Sequence, residues 1–179
     1  MPLLYPTLAV VALLRLAELV LARRNAARLL GQGGHEIGAG HYPLFFLLHG
    51  SWLVALAFVA APAPRWPALL ALFALLQLAR GWTICSLGPF WTTRIITLPG
   101  APLVRRGPYR WLRHPNYLIV AAEIALLPLA FGAVWLAVVF SALNAVLLWH
   151  RVRIEDAALA GRRGLDDRAG ARHSTPRAD

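Results

Sequence analysis

The run YLIVAAEIALLPLAFGAVWLAVVFSALNAVLLW, Tyr117 to Trp149, decides how this chain folds. As one helix rising ~1.5 Å per residue it would reach ~50 Å, well beyond the ~30 Å hydrocarbon core of a bilayer. Pro128 and Gly132 stand near its middle. Proline removes a backbone donor there, and glycine permits a turn. The run is therefore expected to form a tight hairpin of two shorter helices, at 117–130 and 133–150.

Three more apolar runs lie upstream, at 3–22, 42–62 and 66–87. Each matches one bilayer crossing in length. No basic segment precedes the first run and no small-residue cleavage site follows it, so it reads as a retained helix. Of the 179 residues, 59% are apolar and 15% charged, against about 25% charged in soluble domains. Mean hydropathy is +0.58. The expected fold class is an all-α integral membrane protein of about five transmembrane helices, forming one domain over 1–160. The polar, small-residue segment 161–179 is expected to be a disordered tail. No internal repeat or strand pattern is visible. Trp66, Trp111, Trp135 and Trp149 fall near expected helix ends, where interface aromatics gather. The lone Cys85 excludes an intramolecular disulfide and reads as a small buried hydrophobe.

The net charge is +10, and every basic residue is arginine. The arginines fall between the apolar runs, which points to membrane topology and not to nucleic acid. Arg23, Arg24 and Arg28 follow the first run, Arg94, Arg105, Arg106, Arg110 and Arg113 precede the hairpin, and Arg151 and Arg153 follow it. Arg65 alone lies in an opposite-side connection. The positive-inside rule then places the N-terminus outside and the 88–116 loop and C-terminus in the cytoplasm, as for a bacterial inner-membrane protein.

Charges within the runs are costly and should face the interior. Arg15 and Glu18 are three apart and can pair on one helical face. Glu123 has two readings: a structural partner of Arg80, or a general base that accepts a proton from an acidic hydroxyl. Asn144 can bond across the hairpin or reach a cofactor.

Two segments carry the chemistry. GPYRWLRHPNYL, Gly107 to Leu118, enters the hairpin, and HRVRIEDAAL, His150 to Leu159, leaves it. The hairpin brings both to one side, so a cytoplasmic pocket is expected among His114, Tyr117, Arg151 and Glu155. Arg151 and Glu155 are four apart and can share a face. The chain has no HExxH, CxxC, Walker or GxSxG pattern, and no metal site is expected. Cation donors, carboxylates and aromatic faces suit a zwitterionic cofactor with an anionic or hydroxylic substrate.

Gly107, Tyr109, Arg113, His114, Pro115 and Tyr117, then an apolar hairpin, then Arg151, Glu155, Asp156 and Leu159, resemble the isoprenylcysteine carboxyl methyltransferase family of integral membrane enzymes. The family pattern is approximately G-x-Y-x-x-x-R-H-P-x-Y followed by R-x-x-x-E-E-x-x-L, and Asp156 departs from it at the second glutamate. The segments WTTRIITLPGAPLVRRGPY and FSALNAVLLWHRVRIE are similar to a bacterial branch, some of whose members resemble O-methyltransferases of alkylpyrones made by type III polyketide synthases. The resemblance implies S-adenosylmethionine as methyl donor. It implies cofactor contacts at Tyr109, His114, Pro115, Tyr117, Asn144 and Glu155, with Arg151 near the reacting oxygen. The implied acceptor is a lipophilic carboxylate or acidic hydroxyl, either isoprenylcysteine-like or an alkylpyrone-type lipid from a partner polyketide synthase. Two other readings stand beside this one. One is a non-catalytic lipid-binding or scaffold protein of the same fold. The other is a transporter or haem protein using His41, His49 and His150.

Overall fold

The computed structural model describes the backbone of residues 2–101 and 103–173; the side chains of His41 and 161–173 lie outside the description. Five α-helices dominate: α1 (Leu4–Gly31), α2 (Tyr42–Val59), α3 (Pro67–Leu87), α4 (Pro115–Ala130) and α5 (Val134–His173). Four are long and apolar enough to cross a membrane, and α4 is a shorter apolar helix. Large apolar side chains cover the outside, among them Phe58 at 84% exposure and Trp135 at 81%. Such a surface is stable against lipid and not against water. The chain is an all-α integral membrane protein.

The core is small because lipid solvates the rest. Leu4, Leu8 and Val11 of α1 meet Trp52 and Leu56 of α2, Phe73 of α3, and Val120, Ile124 and Leu127 of α4. These positions recur at three- and four-residue spacing, one face of each helix.

The hairpin forms where Pro128 and Gly132 require it. Pro128 sits in the last turn of α4 and Gly132 takes φ +77°. The carbonyls freed at the tip are not left bare. Arg65 N–H and Trp66 N–H donate to Ala130 O at 2.8 and 3.1 Å, and Ala61 N–H donates to Phe131 O at 3.1 Å. The α2–α3 connection thus caps the hairpin.

Four expectations are corrected. First, α1 does not stop at residue 22 but runs to Gly31. Apolar content ends there while helix-forming arginines continue, and the extension is anchored. Asn25 Nδ2 donates to Gly88 O and Trp91 O at 3.1 and 2.8 Å, and Arg28 Nη2 to Pro89 O at 2.7 Å. Second, α5 is not short. It continues as helix beyond Gly161 to His173, where a disordered tail is expected; residues 174–179 lie outside the description. Third, a strand pair exists: β1 (His35–Ile37) lies antiparallel to β2 (Ile95–Thr97), with Glu36 opposite Ile96. Fourth, Cys85 is exposed on α3 rather than buried. The four tryptophans expected at helix ends are all exposed.

A second glycine position matters near the site. Gly107 has φ +57°, and a Cβ there would stand 2.0 Å from Ser86 Oγ. Gly107→Ala combines left-handed strain with overlap against α3 and is expected to cost at least about 2 kcal/mol. A lowered thermal midpoint in detergent checks this; an unchanged midpoint contradicts it.

Candidate functional site

A cavity of ≈ 870 Å³ opens beside the segment that leads into α4. Its walls come from α1, α2, the end of α3, the 88–116 loop, the start of α4 and the far part of α5. One end is polar, with Thr93, Arg113, His114, Tyr117, Arg151 and Glu155. The other lies between Ala12, Leu16 and Leu19 of α1 and Phe46, Gly50 and Leu53 of α2, with Arg15, Glu18, His49 and the buried Arg80 among these apolar side chains.

The polar end is one hydrogen-bonded lattice. Pro115 starts α4, where its missing N–H costs nothing, and His114 precedes it as N-cap. Tyr117 then faces α5. Arg151 Nε donates to Tyr117 Oη at 2.7 Å, and the Tyr117 hydroxyl donates to Glu155 Oε2 in a short bond. Arg151 Nη2 also donates to Thr93 O at 2.8 Å. The expected Arg151–Glu155 link therefore runs through Tyr117. His114 Nε2 donates to Asp156 Oδ1 at 3.1 Å, while Nδ1 lies 3.8 Å from Glu155 Oε2. Asp156, the departure from the family pattern, is thus within reach of the histidine. The His114 and Tyr117 rings stack at 5.3 Å and 14°.

Arg151 is buried, and two aromatic faces share its charge: its guanidinium lies 5.3 Å from the Phe45 centroid and 5.7 Å from that of Tyr117. Tyr109 also lines the cavity. Burial pushes its phenol up, Glu155 adds to this, and Arg80 opposes it. Tyr109 is therefore a neutral hydrogen-bonding group at physiological pH.

Three expected site residues lie elsewhere. Glu123 and Asn144 are buried but do not line this cavity, nor does Pro115, whose place is the first turn of α4. Glu123 lies behind Arg15 and Arg80, in a network that neutralises it. Arg80 Nη1 is 3.2 Å from Glu123 Oε2, Arg15 Nη2 is 3.4 Å from Oε1, and Gln77 Nε2 donates to Oε1 at 2.8 Å. Glu18 joins the same network, accepting from Arg80 Nε at 2.8 Å and Arg15 Nη1 at 3.1 Å. This geometry favours the structural partnership of Glu123 with Arg80 over a substrate-side base.

Sequence reading missed the α2 side of the cavity. Tyr42, Phe45, His49 and Leu53 line it at helical spacing. Their i, i+3, i+7, i+11 pattern was the available signal. Tyr42 Oη bonds Thr93 Oγ1 at 2.8 Å, and the Arg94 guanidinium lies 5.3 Å from the Tyr42 ring centroid.

The helices and this cavity define an integral membrane protein with a charged, aromatic chamber continuous with an apolar one. The family model of isoprenylcysteine carboxyl methyltransferase matches residues 69–161. The uncharacterized protein YpbQ of Bacillus subtilis (strain 168) is 39% identical over 157 residues, covering 85% of this chain and 94% of that protein. This chain belongs to the isoprenylcysteine carboxyl methyltransferase family and is a membrane methyltransferase in the general sense of that family. No solved structure matches it.

Proposed function

We propose that this protein transfers the methyl group of S-adenosylmethionine to an acidic oxygen of a lipophilic acceptor. The observation that carries this reading is the lattice of His114, Tyr117, Arg151 and Glu155 in a cavity that also has apolar helix faces among its walls. The donor set fits the cofactor. Asn116 Oδ1 is buried beside the cavity with no hydrogen-bond partner, and a ligand N–H would satisfy it. Glu155 suits a cationic group, Arg113 a carboxylate, and the stacked His114 and Tyr117 offer a flat face. When bound, S-adenosylmethionine supplies an electrophilic methyl on a sulfonium.

The chain's own residues would do the rest. Glu155 holds Tyr117, and Tyr117 with Thr93 holds Arg151, so the guanidinium is oriented before the acceptor arrives. Charge disperses in methyl transfer, and a chamber with little water need not reorganise solvent. Alignment of two bound reactants contributes further. The apolar end suits the acceptor's tail. The acceptor is an isoprenylcysteine-like carboxylate or an alkylpyrone-type lipid, the latter supplied by a polyketide synthase. The arginine distribution supports a bacterial inner membrane, with the polar mouth toward the cytoplasm.

Calorimetric titration of S-adenosylmethionine into detergent-purified protein tests the reading. Saturable binding, weakened at least about tenfold in His114→Ala through loss of a stacked, charge-assisted contact, is expected. No binding by folded protein, with or without added lipid extract, would overturn it.

A further inference from the structure

His49 stands on α2 one turn deeper than Phe45, on the same cavity wall. The Phe45 ring has two close neighbours. The Arg151 guanidinium lies 5.3 Å from its centroid, and the His49 ring lies 6.4 Å away at 28°. His49 therefore occupies the step between the polar lattice and the apolar end, where an acceptor's head group must sit if its tail is in lipid-like surroundings.

The tautomer of His49 follows from one bond. Nδ1 lies 2.8 Å from Phe45 O. A carbonyl can only accept, so Nδ1 carries the hydrogen, and in the neutral ring Nε2 keeps its lone pair. Nε2 makes no hydrogen bond among the described residues. Other candidate bases on the wall are engaged. Glu18 accepts from Arg15 and Arg80, and Glu155 accepts from Tyr117. His114 is held by Asp156, and Tyr109 is kept a neutral phenol. The charges around His49 are Arg15 and Glu18 on α1, Arg80 on α3 and Glu123 on α4, tied to one another as two arginines with two glutamates. Arg151 on α5 lies across Phe45.

We propose that His49 Nε2 is the general base that takes the proton from a hydroxylic acceptor still protonated at neutral pH, which makes a phenol, rather than a carboxylic acid or an equally acidic enol, the substrate class that needs this site. This rests on the methyltransferase reading. The acceptor O–H proton passes to Nε2, and the oxygen forms its bond to the methyl carbon. The S–C bond breaks with its electron pair going to sulfur, which becomes a neutral thioether. The imidazolium then returns its proton to water through the cavity mouth. A carboxylate acceptor arrives ionised and has no use for the base.

The test separates the two proposals. An alkyl-chain nitrophenol that turns yellow on ionising is bound to wild-type protein and to His49→Gln, and its colour is titrated with pH. Wild type is expected to ionise the bound probe with at least about a tenfold larger constant than the variant. Radiolabelled methyl transfer is then followed with a long-chain 3-alkylphenol, whose hydroxyl is protonated at neutral pH, and with N-acetyl-S-farnesylcysteine. His49→Gln is expected to lose about 10²–10⁴-fold in kcat on the phenol, recovering as pH rises, and far less on the carboxylate. Identical probe ionisation in the two proteins overturns the role of His49, whether or not either acceptor is methylated. Absence of cofactor binding by wild type overturns the methyltransferase reading instead.

Discussion

Glu155→Gln should lower methyl transfer by about 10²–10⁴-fold and weaken S-adenosylmethionine binding with it. Glu155 accepts a hydrogen bond from the Tyr117 hydroxyl and stands 3.8 Å from His114 Nδ1. The amide keeps the shape and removes the charge. The charge-assisted bond from Tyr117, roughly 1.5–3 kcal/mol, is lost together with the carboxylate's attraction for a sulfonium, and every 1.4 kcal/mol is about tenfold. Tyr117 is left with a neutral amide oxygen as its acceptor, so it holds Arg151 less firmly. The assay is labelled methyl transfer beside titration of the cofactor, with a melting curve to show that the variant is folded. A folded variant within about fivefold of wild type would remove Glu155 from the chemistry.

The second large effect lies deeper. Arg80→Met removes the cation shared by Glu18 and Glu123 and leaves both carboxylates under-compensated among apolar side chains. Breaking a buried ion pair from one side costs about 3–5 kcal/mol, a large part of the roughly 5–15 kcal/mol that holds a domain together. The variant should accumulate poorly and melt early in detergent. Adding Glu123→Gln should restore part of the loss, because the uncompensated charge and not the missing bulk is the source of instability. A single variant as stable as wild type would show that Glu18 and Glu123 tolerate its absence. An unrescued double variant would point to packing.

What the sequence revealed and what it hid have physical causes. Pro128 and Gly132 mark the hairpin because backbone chemistry acts locally. That hairpin then places Arg151 and Glu155 beside His114 and Tyr117, so half of the polar lattice is legible. The Arg80–Glu123 pairing is legible because unpaired charges are too costly at that depth. The extension of α1 is hidden because hydropathy reports the bilayer, not the helix, and Arg23, Arg24 and Arg28 extend it outside the apolar run. The strand pair has three residues on each side, too short to show alternation, and it closes across a long sequence separation. The roles of Tyr42, Phe45 and Thr93 depend on α2 lying against the loop, which no local pattern states. Glu123 and Asn144 have side chains suited to a site, but they are buried and do not line the cavity.

The pairing of β1 with β2 and the bond from Arg151 to Thr93 O have a consequence for biosynthesis. The chamber is sewn from segments that leave the ribosome at widely separated times. While α4 is being made, Tyr117 has no Arg151 or Glu155 to meet, and Thr93 still waits for the guanidinium that will hold its carbonyl. Insertion of the helices into the bilayer can therefore be complete, or nearly so, before any methyl-transfer machinery exists. The site forms as a closing act, once the last helix has emerged and swung its charged end back against the loop.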